Sequence, residues 1–420
     1  MTENSTTTEA RSGTERSSWF IIFSLLVSTF FSGFGGGVVF PIFPTLGGVL
    51  GISPFLVGII LSANRFARLF CSAPAGALVD RLGARVPYVI GLGIQAVATL
   101  GYIIALYAPV PGAWFLASRI VLGAASALTF ATSYTIAANV SVGDSRGMQM
   151  GLIRGGSILG FPTGLVLGGV VSELAGNTSA FLAAAVFAAV ATVVGFLTVP
   201  ETHVTPETEQ SVTPWAIDTS VPTLTLGLVN FGIWFSYLGV MFASLVLFLE
   251  TNAISVFGFG PQGSSGIFMG VTIMVEVCFM TIGGYITDNR RSRVPTLTLF
   301  VLLFGAGLAL LPRASSARLL AGTCLLIGVG AGGTLGPLMA LLADFTPEAR
   351  MGRASGTINI FSDIGGGLGP VVGLPLIDAV GFKAVFTGSA LLPLLGAAAL
   401  LGGLYWQTGR VFPSTASGTG

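Results

Sequence analysis

Charge is what this sequence has least of. Only 8% of its 420 residues are Asp, Glu, Lys or Arg, where soluble domains carry roughly 25%. Such a chain cannot cover a water-facing surface, which excludes a soluble globular fold. The net charge of +1 leaves no footprint for nucleic acid. Histidine is reduced to His203, in a polar stretch. The three cysteines, Cys71, Cys278 and Cys324, each fall inside an apolar run. We read them as buried thiols without a disulfide framework, and one His beside three scattered Cys makes no metal site. No nucleophile–base set and no phosphate-cradling loop is present, which argues against an enzyme and against an ATP-driven pump. Residues 1–18 are rich in Ser, Thr and Glu. They lack the apolar middle of a signal peptide, so a disordered tail is expected there.

Apolar sequence and glycine fill the space that charge leaves. The chain is 53% hydrophobic, with 60 glycines, and its mean hydropathy is +0.88. Glycine is better tolerated in membrane helices, where it lets backbones approach closely. A helix crossing a bilayer needs about 20 mostly apolar residues. Twelve such runs are predicted: 19–45, 54–78, 86–108, 112–138, 147–173, 178–199, 222–250, 264–288, 294–312, 316–343, 352–378 and 382–406. The longest connection, 200–221, splits them six and six. The expected fold is an all-α membrane protein of two six-helix bundles, 19–199 and 222–406, with a central loop at 200–221 and a second tail at 407–420. An even number of crossings puts both termini on one side. Arg11, Arg16, Arg81, Arg85, Arg146, Arg290, Arg291, Arg293, Arg350, Arg353 and Arg410 lie on that side, against Arg313, Arg318 and Lys383 on the other. Basic loops stay inside, so cytoplasmic termini and a cell-membrane location are expected.

The two halves repeat. Shifting residues 119–181 by 205 positions lays them on 324–386 without a gap. Gly123 falls on Gly328, Gly147 on Gly352, Gly151 on Gly356 and Ser157 on Ser362. Gly160, Gly164 and Gly168 fall on Gly365, Gly369 and Gly373, and Gly176 and Phe181 on Gly381 and Phe386. Small residues recur in membrane helices for packing alone, but here one register holds over two helices and their loop. Repeats of this kind build a central site that opens alternately to either side.

After the second run the chain reads Gly76-Ala77-Leu78-Val79-Asp80-Arg81-Leu82-Gly83-Ala84-Arg85. Gly76 allows close packing, Gly83 a tight turn, and Asp80 a pairing with arginine or a helix N-terminus. A partial copy follows the eighth run, Gly284-Tyr285-Ile286-Thr287-Asp288-Asn289-Arg290-Arg291. The ten-residue pattern resembles the G-x-L-x-D-R-x-G-x-R signature of the major facilitator superfamily. That resemblance spans residues 19–406 and implies twelve helices, alternating access and a cytoplasmic latch formed by Gly76, Asp80, Arg81, Gly83, Arg85, Asp288 and Arg290. In the fourth run, Arg119-Ile120-Val121-Leu122-Gly123 is similar to a family pattern whose arginine is implicated in proton handling. Gly156 to Gly164 with Pro162, and the Pro41–Pro44 segment, resemble the drug/proton antiporter branch.

Ionisable groups at membrane depth cost about 2.5–3.5 kcal/mol even on gentle insertion scales, so each requires a partner or a role. The deep set is Arg65, Arg68, Arg119, Arg154, Glu276 and Asp363. The resemblance implies that the second helix meets the eleventh and the fifth meets the eighth. It thereby suggests two pairs: Arg65 or Arg68 with Asp363, and Arg154 with Glu276. Locked structural ion pairs are the bland alternative. Asn230, Trp234, Tyr237 and Met241 follow helical spacing, either as core packing or as the lining of a substrate cavity, with Asn64, Gln95, Tyr134 and Asn359 as further candidates. The reading is a monomeric secondary transporter in a lipid bilayer, exporting small, largely apolar compounds. It uses no cofactor, and a proton or other ion gradient drives it. Uptake or facilitated diffusion of an anionic or sugar-like metabolite, and a non-transporting sensor on the same scaffold, are the alternatives.

Overall fold

A computed structural model describes residues 3–140, 146–199, 217–290 and 293–409. The side chains of 3–18, 134, 137–140, 146–147, 149–150, 288–290 and 407–408 lie outside the described set. Among the described residues the chain is almost wholly helical, and its helices are long and apolar enough to cross a membrane. They are α1 (Trp19–Val49), α2 (Pro54–Leu82), α3 (Arg85–Tyr107), α4 (Pro111–Val140), α5 (Arg146–Ala175), α6 (Asn177–Thr198) and α7 (Val221–Thr251). Then come α8 (Pro261–Arg290), α9 (Arg293–Arg313) and α10 (Ala317–Phe345). The last helical stretch, Met351–Thr408, is broken by non-helical Gly381 into α11 (351–380) and α12 (382–408). Twelve spans result. Helical backbone also precedes α1 from Glu3, within the segment expected to be a disordered tail.

The glycine register seen in the sequence has a packing cause. In the first repeat α5 lies on α1. A Cβ at Gly160 would collide with the Phe30 carbonyl, one at Gly164 with the Phe34 carbonyl, and one at Gly168 would come within 2.8 Å of the Val38 Cα. In the second repeat α11 lies on α7. Gly365 meets the Phe231 carbonyl, Gly369 meets Phe235 and Gly239, and Gly373 meets Val240. Phe30 and Phe34 thus play the parts of Phe231 and Phe235, 201 positions on. At one level the small residue changes sides: Gly156 faces Leu26 and Phe30, whereas Gly227 makes room for the ring of Phe361. The helix breaks repeat too. Gly176, between α5 and α6, and Gly381, between α11 and α12, have φ of 86° and 82°, a region an L side chain rarely enters.

Both α1 and α7 lose regular α geometry at matching places. In α1 the helix is interrupted at Val38. Gly35, Gly36 and Gly37 loosen it, and Pro41 has no N–H to return to the Gly37 carbonyl. In α7 the segment Phe235–Met241 is π-helical, and the Phe242 N–H bonds to the Tyr237 carbonyl five residues back.

The chain condenses into two compact units. The first comprises Met1–Val39 and Ala67–Ser211. Its core joins Ile22, Leu25, Tyr88, Leu92, Ile153 and Ala191. A buried polar bridge crosses it: Ser32 donates to Gln95 Oε1 at 2.7 Å, and Gln95 Nε2 donates to Thr129 Oγ1 at 2.7 Å. Gln95 is therefore satisfied inside this unit. The second unit comprises Phe40–Phe66 and Val212–Gly420. It takes in the ends of α1 and α2 remote from the chain's termini. Within it Gln262 donates to Thr45 at 2.9 Å, Phe40 meets Phe242, and Gly58 lies against the Pro370 carbonyl. All three cysteines are free; Cys324 is buried, Cys71 half-buried, and Cys278 exposed rather than buried as its apolar run led us to expect.

Candidate functional site

Ion pairing at depth begins on α2. The Arg65 guanidinium donates to Asp363 Oδ1 of α11 at 3.2 Å, and both side chains are about four-fifths removed from solvent. The same guanidinium lies over the Trp234 ring of α7, 5.3 Å from its centroid, within range of a cation–π attraction. Glycine makes the geometry possible: a Cβ at Gly366 would sit 2.9 Å from an Arg65 nitrogen, and one at Gly367 2.8 Å from the Phe66 ring. One turn along α2, the Ser62 hydroxyl reaches the Gly367 carbonyl. Within the second unit, segments of three helices (α2, α7 and α11) therefore meet on one arginine. Of the two arginines expected as partners for Asp363, Arg65 occupies that place. Arg68 lies over the Phe130 ring of α4 at 5.9 Å, in the first unit.

A second polar focus lies between α7, α8 and α10. Gly332 lets α10 press against the Glu276 backbone, since a Cβ there would meet the Glu276 carbonyl. The fully buried Tyr237 hydroxyl, on the π-helical turn, faces the half-buried Glu276 carboxyl without closing a well-formed hydrogen bond. The Cys324 thiol and the Thr272 hydroxyl adjoin this pair. No ion pair to Glu276 occurs among the described residues of its unit. Arg154 is exposed and belongs to the first unit.

The remaining candidates scatter. Arg119 is buried beside the Tyr102 hydroxyl, in the aromatic cluster of Tyr102, Phe115 and Phe181. Asn230 is buried and donates to the Ile358 carbonyl at 3.1 Å, tying α7 to α11. Asn64 is half-buried and Asn359 exposed, and Tyr134 lies outside the described side chains. In the loop motif, Gly83 takes φ 77°. Asp80 and Arg81 are exposed, and Arg85 donates to the Phe196 carbonyl at 3.1 Å at the end of α6, where a cation offsets the helix dipole. No described atom comes within 4 Å of a Cβ placed on Gly76, so Gly76 makes no close helix contact in this conformation. Asp288 and Arg290 fall outside the described side chains.

Two residues were not singled out from sequence. Arg293 pairs with Asp344 and donates to the Ala340 carbonyl at 2.9 Å, clasping α9 to α10. Its signal was present: Gly284, Asp288 and Arg293 repeat the spacing of Gly76, Asp80 and Arg85, 208 positions on. Asp218, just before α7, is buried. Its backbone N–H donates to Thr357 Oγ1 at 2.9 Å, its Oδ1 accepts from the Ser220 N–H at 2.8 Å, and Arg350 lies 3.8 Å from Oδ2. Burial pushes this carboxyl up, but the Ser220 bonds together with Arg350 and Arg353 outweigh burial and hold it below the usual value. Nothing in the polar linker marked it.

Two repeated sets of six helices long and apolar enough to cross a membrane define a polytopic membrane protein. Residues 25–370 match the Major Facilitator Superfamily, and the chain belongs to that family. It is 27% identical over 373 residues to the multi-drug resistance efflux pump PmrA of Streptococcus pneumoniae, covering 86% of this chain and 90% of that one. It is 23% identical to an uncharacterized transporter of the same superfamily from Methanocaldococcus jannaschii, covering 89% and 95%. Among solved structures, the nucleoside transporter NupG superposes with a TM-score of 0.76 at 17% identity, covering 91% of this chain and 99% of that one. A bacterial homologue of the human lysosomal transporter Spinster, inward-facing and unoccupied, gives 0.71 at 13% identity, with 96% and 99% covered. These two likenesses concern the fold.

Proposed function

We propose that this transporter exports small, largely apolar organic compounds in exchange for protons. Its six-helix halves, 19–199 and 222–406, would alternate access around the charged groups, with both termini in the cytoplasm and the protein a monomer in the cell membrane. The observation that carries the coupling is Glu276. It is a half-buried carboxyl in the middle of α8 whose facing polar neighbour is a tyrosine hydroxyl. Among the described residues of its unit no cation pairs with a carboxylate there to offset its removal from water. It is thus the group whose charge a transported proton would change. Asp363 already has Arg65 at 3.2 Å, and we assign that pair to closing α2 against α11 and α7. The similarity to an efflux pump over nine-tenths of that pump's length supports the direction.

The anion-uptake alternative drew on an excess of deep arginines over acids. Three of the four deep arginines already have neighbours: Arg65 pairs with Asp363, Arg68 lies over the Phe130 ring and Arg119 lies beside the Tyr102 hydroxyl. Proteoliposomes test the proposal. Efflux of a lipophilic dye should respond to an imposed pH gradient and lose that response in Glu276→Gln, while the dye still binds. Flux indifferent to the gradient in the unmodified protein would rule out proton coupling.

A further inference from the structure

A groove of about 260 Å³ opens on the second unit between the π-helical turn of α7, the far end of α11 and the start of α12. Phe235, Val240, Val372, Leu376, Val380 and Leu392 form its walls. Val372, Leu376 and Val380 recur every fourth residue and are 39%, 45% and 59% exposed, so they line one outward face of α11. The groove offers a guest no free polar group. Its one hydroxyl, Ser389, is turned onto the Phe386 carbonyl, and the Ser389 carbonyl already accepts from Ser236. Polar metabolites would forfeit their hydration there without replacement. Every wall belongs to a membrane span, where the available apolar occupant is a hydrocarbon chain. At the groove's end the backbone turns at Gly381, flanked by Asp378 and by Lys383, the one lysine of the chain. Both are exposed, and among the described residues no ion pair joins either.

We propose that this groove is a binding site for one phospholipid of the leaflet remote from the chain's termini. An acyl chain lies along Val372–Val380 and a zwitterionic headgroup sits at the turn, phosphate toward Lys383 and ammonium toward Asp378. Twelve crossings place that turn on the side opposite the termini whichever way the protein is oriented. An opposed pair of exposed charges suits a zwitterion better than an anionic headgroup, which Asp378 repels. The site does not depend on what the protein transports.

Native mass spectrometry of the full-length protein, stripped in detergent and titrated with phosphatidylethanolamine or phosphatidylglycerol, tests this. The unmodified protein should hold one phosphatidylethanolamine at least five-fold more tightly than phosphatidylglycerol. Gly388→Leu fills the groove from a position where a Cβ meets nothing within 4 Å, and it should abolish that bound lipid while leaving the thermal transition in place. Lys383→Gln leaves the groove intact and should weaken phosphatidylethanolamine binding about ten-fold. Retention of the lipid by Gly388→Leu overturns the groove assignment. Equal binding of both lipids, unchanged by Lys383→Gln, overturns the headgroup assignment.

Discussion

Removing Arg65 should cost far more than removing Arg65 and Asp363 together. Arg65→Met strips away a charge-assisted hydrogen bond at 3.2 Å and a guanidinium lying 5.3 Å over Trp234. It also takes from Asp363 the guanidinium that it accepts from. Breaking a buried pair from one side costs about 3–5 kcal/mol. Both side chains here retain a little under a fifth of their exposure, so the lower end, about 3 kcal/mol, applies. Loss of the stacking on Trp234 is part of that figure, at about 0.5–1 kcal/mol. Asp363→Leu alone takes the carboxylate from Arg65 and should cost a similar amount. The double variant Arg65→Met/Asp363→Leu removes both charges together and should fall within about 1 kcal/mol of the parent. The assay is equilibrium unfolding in detergent, run as a double-mutant cycle, with coupling of about 5 kcal/mol expected from these single and double costs. Single costs that simply add would mean that the two charges do not depend on each other, and the assigned closure of α2 onto α11 would lose its basis.

Other expectations follow from the same geometry. Gly160→Ala and Gly369→Ala drive a methyl into backbone on α1 and α7 and should each cost about 1–3 kcal/mol. The repeat mates Gly151→Ala and Gly356→Ala, which meet nothing within 4 Å, should stay within about 0.5 kcal/mol in the same unfolding assay. Asn230→Ala loses the tie to the Ile358 carbonyl and should cost about 0.5–1.5 kcal/mol. Its spectrum of exported dyes should be unchanged, and an altered spectrum would place Asn230 in the substrate path instead. Asp218 titrates lower folded than unfolded, so the unfolded chain binds the extra proton between the two values. Its stabilisation is complete above the unfolded pKa of about 4 and disappears as pH falls through the folded value. The melting-temperature gap between the parent and Asp218→Asn should therefore be constant from pH 7 to 5 and close below pH 4. A gap that widens on acidification contradicts the assignment.

Sequence periodicity revealed the spans and the repeat because both leave long signals. Apolar runs of twenty residues and a gapless 205-residue shift survive errors of a few positions. What the glycines touch was invisible, since Phe30, Phe34, Phe231 and Phe235 look like any other apolar residues. The exchange of Gly156 for Gly227 was hidden for the same reason. The helical stripe on α7 assumed 3.6 residues per turn throughout, and the π turn at Phe235–Met241 breaks that assumption. Asn230 and Trp234, before that turn, face Ile358 of α11 and Arg65, whereas Tyr237, on the turn, looks toward Glu276. Arg293 was legible in the spacing. Asp218 was not, because a lone acid in a polar linker carries no periodicity.

That π turn has a consequence for the ancestry of the two halves. Before it, α7 runs 201 positions ahead of α1, Phe30 matching Phe231; beyond it the count is 202, with Val38 matching Val240. The i→i−5 turn takes up the surplus residue, so the faces beyond it stay in step: Val240 meets Gly373 as Val38 meets Gly168. A duplicated half can therefore take in one codon at that point without rotating the rest of the span. Deleting one residue between Ser236 and Gly239 would remove the wide turn and move Tyr237, while the contacts of the flanking segments with α11 keep their register.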